Sequence, residues 1–367
     1  MRVPFVDLKA QYQSLKPQID QAIAGVIETT AFIGGPFVRQ FEQEFARLVG
    51  VKHCVSCANG TDSLFILLKM LGIGRGDEVI TVANSWISSS ETITLAGASP
   101  VFVDVHPDYY SLDENLLEAA ITPRTKAIIA VHLQGQMCEM EVLGRLCSKY
   151  QLSLIEDCAQ SHLSEYRGIR AGLFGVAGSF SFYPGKNLGA YGDAGCIVTN
   201  DDELAQKCLM FARHGALIKH QHKIEGMNSR LDGLQAAILL AKLPFLEQWT
   251  KARAERANWY EEALAEIPEI VPPVCRPDTY HSYHLYVIRC QRRQELMNFL
   301  SERTIETVVH YPTPLPLLEA YRYLGKTPED FPVSSRLSLE ILSLPMFPEL
   351  TREQVAHVAQ SIKAFYQ

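Results

Sequence analysis

KAIIAVHLQGQMCEMEVLGRLCSKYQLSLIEDCA, residues 126–159, sets two short apolar runs on either side of one charged, amphipathic segment. The outer runs, KAIIAVHL (126–133) and LSLIEDCA (152–159), are the length of buried strands. EMEVLGRLCSKY between them reads as a helix. A strand, a covering helix and a second apolar strand make a βαβ unit, whose strands lie parallel.

The alternation extends in both directions. Upstream, HCVSCA (53–58), DEVITVA (77–83) and SPVFVDV (99–105) read as strands, with GTDSLFILLKML, SSSETITLAGA and NLLEAAI as the intervening helices. Downstream, AGSFSFY (177–183) and AGCIVTN (194–200) complete the set. Two helices precede it, PQIDQAIAGVIETT and FVRQFEQEFARLVG, parted by an IGGP break, the second stopped by Gly50. The predicted class is α/β, with a mostly parallel sheet covered on both faces.

The pattern changes near residue 229, where a long helical span runs through Pro244. We expect a large domain over 1–245 and a smaller α+β domain over 246–367. The latter would hold SYHLYVIRC (282–290), a helix around RQELMNFLSER, the strand-like TVVHYP (307–312) and a final helix opened by the capping box TREQ (351–354).

At 367 residues the chain is long enough for such a pair of domains, and a net charge of −7 argues against a nucleic-acid partner. Nine cysteines lie without metal-ligand spacing, which fits reduced, buried thiols in a cytoplasmic protein. The charged N-terminus is unlike a signal peptide, and no apolar run approaches the roughly 18–20 residues of a membrane span. HQH (220–222) lacks further ligands, so no metal is expected, and GIGRGDE (72–78) follows a helix where a dinucleotide loop would follow a strand.

Ligands of an open α/β sheet sit beyond the carboxyl ends of its strands. After the first comes ANGTDSL, where Asn59, Gly60 and Thr61 open a helix; free amides and the helix dipole there favour a phosphate, although an N-cap alone explains the residues. After the second comes Trp86, a stacking aromatic or a core residue. Glu156 and Asp157 end an apolar strand, where a carboxylate needs a cationic or hydrogen-bonding partner. Lys186 follows in FYPGKNLG; alone it is an ordinary loop cation, but a desolvated lysine is a nucleophile and a base. Together the four describe the needs of pyridoxal phosphate: a Schiff-base amine, a ring-nitrogen partner, a stacking ring and a phosphate anchor.

On PFVDLKAQY, NGTDSL, IEDCAQSH, SFSFYPGKNLGAYGDAGCIVTND, GMNSRLDGLQAAIL, HYPTP and LSLPMFPEL, the sequence resembles the DegT/DnrJ/EryC1/StrS family of nucleotide-sugar aminotransferases. The resemblance implies the aspartate-aminotransferase-like fold type I. It implies that Lys186 carries pyridoxal phosphate (PLP) as a Schiff base and that Asp157 keeps the pyridine nitrogen protonated. Trp86 would stack on the ring, Gln160 contact its hydroxyl, and Gly60, Thr61 and Ser181 bind its phosphate. Asn228 would reach the phosphate in the other subunit of a homodimer with shared sites. Tyr183, Lys219, His310 and Tyr311 resemble residues near the hexose in relatives acting on 3-keto sugars. The implied reaction moves an amino group from L-glutamate to a dTDP- or UDP-linked 3-keto-(deoxy)hexose, for a glycan or natural product. A 4-keto sugar, or a non-catalytic regulatory role, are the alternatives. Gln134, where the family often has tyrosine, and the missing histidine after HYPTP depart from the pattern at the sugar side. Relatives that act as dehydratases carry histidine in place of the lysine, so Lys186 argues against that chemistry.

Overall fold

The computed structural model describes residues 1–367. The strands are β1 His53–Cys57, β2 Glu78–Val82, β3 Ser99–Val103, β4 Thr125–Val131, β5 Ser153–Asp157, β6 Glu165–Tyr166 and β7 Ile169–Arg170. They continue as β8 Ala177–Ser181, β9 Gly195–Thr199, β10 Ile270–Val271, β11 Thr279–Tyr280, β12 Tyr286–Cys290 and β13 Ile341–Leu344. Seven of them form the main sheet in the order β1-β9-β8-β5-β4-β2-β3. β2, β3, β4, β5 and β8 pair in parallel, and β9 runs antiparallel between β8 and β1. The protein is α/β, with a mixed and mostly parallel sheet, as expected.

β2, β8 and β9 are buried along nearly their whole length because helices cover both faces of the sheet. In β5 the last two residues are carboxylates that point to opposite faces, as the two-residue period of a strand requires.

A second sheet, β10-β12-β13, lies under the helices Leu246–Leu264, Arg293–Glu302 and Arg352–Tyr366. Along β12 the sides alternate. Tyr286, Ile288 and Cys290 pack into this second core, while Val287 joins the core of the main sheet. Val3 also packs into the second core and bridges Ile305. The helical span divides at Leu243–Phe245, a short turn of tighter helix containing Pro244, before Leu246–Leu264 begins. Thr351 and Gln354 form the capping box of the last helix.

One local expectation fails. TVVHYP is not a strand: only Val308 bridges Ser343, and His310 and Tyr311 stand in irregular chain. NLLEAAI is one short helix, Glu114–Leu117, that tightens into Glu118–Ala120. The helix Asp202–Phe211, the strand β13 and the small ribbon β11-β6-β7 are additional to the sequence reading. All nine cysteines are free, and eight of them are buried. No helix is long and apolar enough to cross a membrane.

Candidate active site

The first wall is the turn between β1 and the helix Gly60–Met70. Asn59 caps this helix by accepting from the Asp62 amide at 2.8 Å, and so leaves the Gly60 and Thr61 amides without a partner inside the helix. Ser229 fixes the turn from behind, donating to Asp62 Oδ2 at 2.7 Å and accepting from the Ala58 amide at 3.0 Å. A Cβ on Gly60 would lie 2.7 Å from that of Ser181, so glycine is what lets the end of β8 approach the turn. The result is a cradle of backbone N–H groups with the Ser181 side chain at its edge.

The second wall is the end of β5. Glu156 is locked into structure: its Oε1 accepts the Phe174 and Gly175 amides at 2.7 and 2.8 Å. Its Oε2 accepts the Gly172 amide at 2.8 Å and faces His132 Nε2 at 3.0 Å. The buried trio His132, Glu156 and Cys158 has metal-ligand chemistry, but these partners already occupy the carboxylate and the imidazole. Asp157 faces the other way. Its Oδ2 accepts from the Ser89 hydroxyl at 2.9 Å and its Oδ1 from the Ala159 amide at 3.2 Å. Burial pushes the Asp157 carboxyl above its ordinary range, against the pull of those two donors and of the Lys186 charge.

Lys186 closes the third side. The loop that carries it is held by its own backbone, Lys186 N donating to Tyr183 O and Ala190 N to Phe182 O, each at 2.8 Å. The side chain is half-buried and its amine makes no hydrogen bond or ion pair. Desolvation lowers its pKa to about 8, with Asp157 working in the opposite direction. A sizeable fraction of such an amine is neutral near physiological pH, ready to attack a carbonyl or accept a proton.

Aromatic and amide groups complete the pocket. Trp86 is 59% exposed, so it is not a core residue, and its ring sits 5.9 Å from that of Tyr311. The Tyr311 hydroxyl accepts from Gln160 Nε2 at 3.1 Å, and Gln160 Oε1 accepts from the Gln134 amide at 2.6 Å. Gln134 itself is buried in a left-handed conformation, and its side-chain nitrogen has no partner. His310 pairs with Ser343 Oγ at 2.8 Å and stacks on Phe5; burial and the Lys186 charge lower its pKa to about 4.

The expected residues divide into two groups. Gly60, Thr61, Ser181, Asp157, Gln160, Trp86, Lys186, His310 and Tyr311 converge at the carboxyl ends of β1, β2, β5 and β8 and the loops beside them. Tyr183 is 58% exposed at the rim. Lys219 and Asn228 do not join them: both are exposed on the segment 213–230. Lys219 lines a separate groove of about 920 Å³ with Arg39, His53, Arg213, His220 and Arg230.

Sequence reasoning missed several neighbours. His162 is buried with both ring nitrogens unpartnered, beside Phe180 and Phe182, and burial followed by the nearby Lys186 charge lowers its pKa to about 3. His284 pairs with Asn187 Oδ1 at 3.2 Å. His162 stood in IEDCAQSH, two residues past Gln160, but a histidine there gives no sign of which groups surround it.

These features meet the requirements of one cofactor: an amide cradle for a phosphate, a buried carboxylate short of a positive partner, and an amine of lowered pKa opposite it. The fold and the site together define a PLP-dependent aminotransferase of fold type I. The chain belongs to the DegT/DnrJ/EryC1/StrS aminotransferase family, which it matches over residues 13–363. It is 44% identical to a pleiotropic regulatory protein of Geobacillus stearothermophilus, covering 100% of this chain and 99% of that one. It is 42% identical to a dTDP-3-amino-3,4,6-trideoxy-alpha-D-glucose transaminase of Streptomyces venezuelae, covering 99% and 96%. Among solved structures it is similar to S. venezuelae DesV in complex with a ketimine intermediate, with a TM-score of 0.97 at 41% identity over 100% and 99% of the two chains. It is also similar to NtdA of Bacillus subtilis with bound cofactor PMP, with a TM-score of 0.90 at 30% identity over 99% and 85%.

Proposed function

We propose that this aminotransferase moves an amino group from L-glutamate to the ketone of a dTDP- or UDP-linked 3-keto-(deoxy)hexose, giving a 3-amino sugar. The observation that carries the reading is Lys186, an amine without a partner and with a pKa of about 8, facing the buried Asp157 carboxylate beside the Gly60–Thr61 cradle. The relatives named for dTDP-3-amino sugars supply the substrate class.

Bound to Lys186, PLP supplies the electron sink that makes a carbon–hydrogen bond beside an amine acidic. The chain's residues do the rest. Gly60, Thr61 and Ser181 would hold the phosphate, Asp157 would keep the ring nitrogen protonated, Trp86 would cover the ring and Gln160 would reach its hydroxyl. The free Lys186 amine would take the proton from the amino-bearing carbon of the donor and deliver it to the cofactor carbon that had been joined to the lysine; in the second half-reaction it would take a proton back from that carbon and deliver it to the sugar carbon. Tyr183, His310 and Tyr311 orient the hexose. Asn228 and Lys219, both exposed to solvent, serve the site of a second copy, so the unit is a homodimer with shared sites.

Further assignments rest on the same ground. The division into domains at 245/246 follows the tight turn at Pro244. The free, buried thiols favour the cytoplasm. Retention of both Lys186 and Asp157 disfavours a purely regulatory role. A substrate panel tests the reading: with L-glutamate, the protein should aminate 3-keto dTDP- or UDP-hexoses. Turnover of 4-keto sugars alone would replace the 3-keto assignment, and no amination by a PLP-loaded protein would remove the enzymatic one.

A further inference from the structure

In NSWISSS (84–90) the three serines that follow Trp86 and Ile87 each bind a different neighbour, two of them in the pocket. They open the helix Ser88–Ala96. Ser88 Oγ lies 2.7 Å from Thr61 Oγ1, on the phosphate turn. Ser90 Oγ accepts from the Tyr321 hydroxyl at 2.7 Å. Between them, Ser89 donates to Asp157 Oδ2 at 2.9 Å, and Ser85 Oγ lies 2.9 Å from Ser89 Oγ. Ser85, Ser89 and Asp157 are all buried, at 4%, 1% and 6% exposure. Ser89 gives its proton to the carboxylate, so Ser85 must be the donor in the Ser85–Ser89 contact. Both hydroxyls then point their protons toward Asp157.

From this geometry we infer that Ser89, backed by Ser85, is a positioning residue that keeps the proton of the cofactor–Asp157 pair on the ring nitrogen rather than on the carboxylate. The inference rests on the assignment of Asp157 as the ring-nitrogen partner. Such a pair shares one proton between two bases, and an extra donor to the carboxylate stabilises the form in which the carboxylate is charged. In a buried place that bias matters, because a carboxylate with few donors tends to take the proton itself. The other donor to Asp157 is the Ala159 amide, and the charged or titratable groups near it include Lys186, His132, Cys158 and Tyr311. Ser89 therefore contributes one of two fixed hydrogen bonds to this carboxylate.

The test uses the holoenzyme loaded with PLP labelled with 15N in the pyridine ring, whose nitrogen resonance reports directly where the proton lies. In the native protein the resonance should sit at the protonated position. In Ser89→Ala the proton distribution should shift toward Asp157 by about tenfold or more, the scale of one hydrogen bond to a charged group. Ser89→Thr, which keeps the hydroxyl, should restore the native resonance. An Ala variant with the native resonance, or a Thr variant matching the Ala one, overturns the inference, whatever either does to stability or turnover. Borohydride reduction and peptide mapping of the same samples separate the two possible failures. Cofactor found on a lysine other than Lys186 sinks the site assignment as well, whereas cofactor on Lys186 with an unmoved resonance sinks only the role of Ser89.

Discussion

The Lys242 ammonium donates to the carbonyl oxygen of Gly189 at 2.7 Å, beneath the loop that presents Lys186. Lys242 is fully buried, sits 4.3 Å from the centre of the Tyr191 ring, and is lowered by desolvation to a pKa of about 8. Replacing it with methionine keeps the stem and leaves the Gly189 carbonyl without a partner. Lys242→Met should lower stability by about 1–3 kcal/mol and loosen the loop. Thermal unfolding and equilibrium dialysis of PLP should show a lower Tm and weaker cofactor binding together; unchanged PLP affinity would mean that the loop is held without Lys242.

Capture of PLP by the cofactor-free protein should accelerate with rising pH and reach half its limiting rate at about pH 8, because only the neutral Lys186 amine attacks. The sign follows from a folded pKa below the ordinary lysine value: the amine is freed of its proton earlier than a solvated lysine. Stopped-flow absorbance of the linked cofactor gives the profile, and a rate that is flat through this range would contradict the lowered pKa.

Glu156→Gln should cost about 3–5 kcal/mol, because the new amide NH2 must face backbone donors or the His132 nitrogen in place of a carboxylate oxygen. Chemical denaturation of the cofactor-free protein isolates this effect from PLP binding. A loss below about 1 kcal/mol would show that the 172–175 turn is secured by other contacts.

Gly60→Ala should raise the dissociation constant of PLP about tenfold or more, since its methyl would fall 2.7 Å from Ser181 Cβ and the phosphate cradle would have to open. Dialysis against inorganic phosphate as a competitor locates the loss at the phosphate end. Normal competition with normal PLP affinity would mean that the turn accommodates the methyl.

Acid should destabilise the fold partly through His162. Its folded pKa of about 3 lies below the ordinary 6.5, so the unfolded chain binds the proton more readily between those values. Stability is therefore lost as pH falls below about 6.5. His162→Phe should flatten Tm against pH in that window, and an unchanged slope would assign the acid sensitivity to other groups.

Much of the pocket was legible because its key groups lie at strand ends, and strand ends can be read from where an apolar run stops. Asp157 and the Gly60–Thr61 turn were found that way. The division of labour between Glu156 and Asp157 came from the family resemblance and not from the residues themselves, because it depends on which face of β5 meets the 172–175 turn. TVVHYP had the β-branched composition of a strand, but only Val308 bridges, to Ser343 on the open edge of β13. The ribbon β11-β6-β7 consists of two-residue strands, too short to leave a period. Ser89 was passed over because serines at a helix start read as ordinary helix-terminus chemistry until the neighbouring strand is in place.

The serine triplet also makes the pocket sensitive to phase. Successive residues of a helix turn by about 100°, so Ser88, Ser89 and Ser90 splay toward the phosphate turn, the carboxylate and Tyr321 only in their present setting. One residue inserted between Ile87 and Ser88 would rotate all three contacts away from their partners at once, with no side chain of the pocket changed. This part of the chain is thus rigid in length, and the connection from β2 to this helix is where a deletion or insertion would be felt across the whole site.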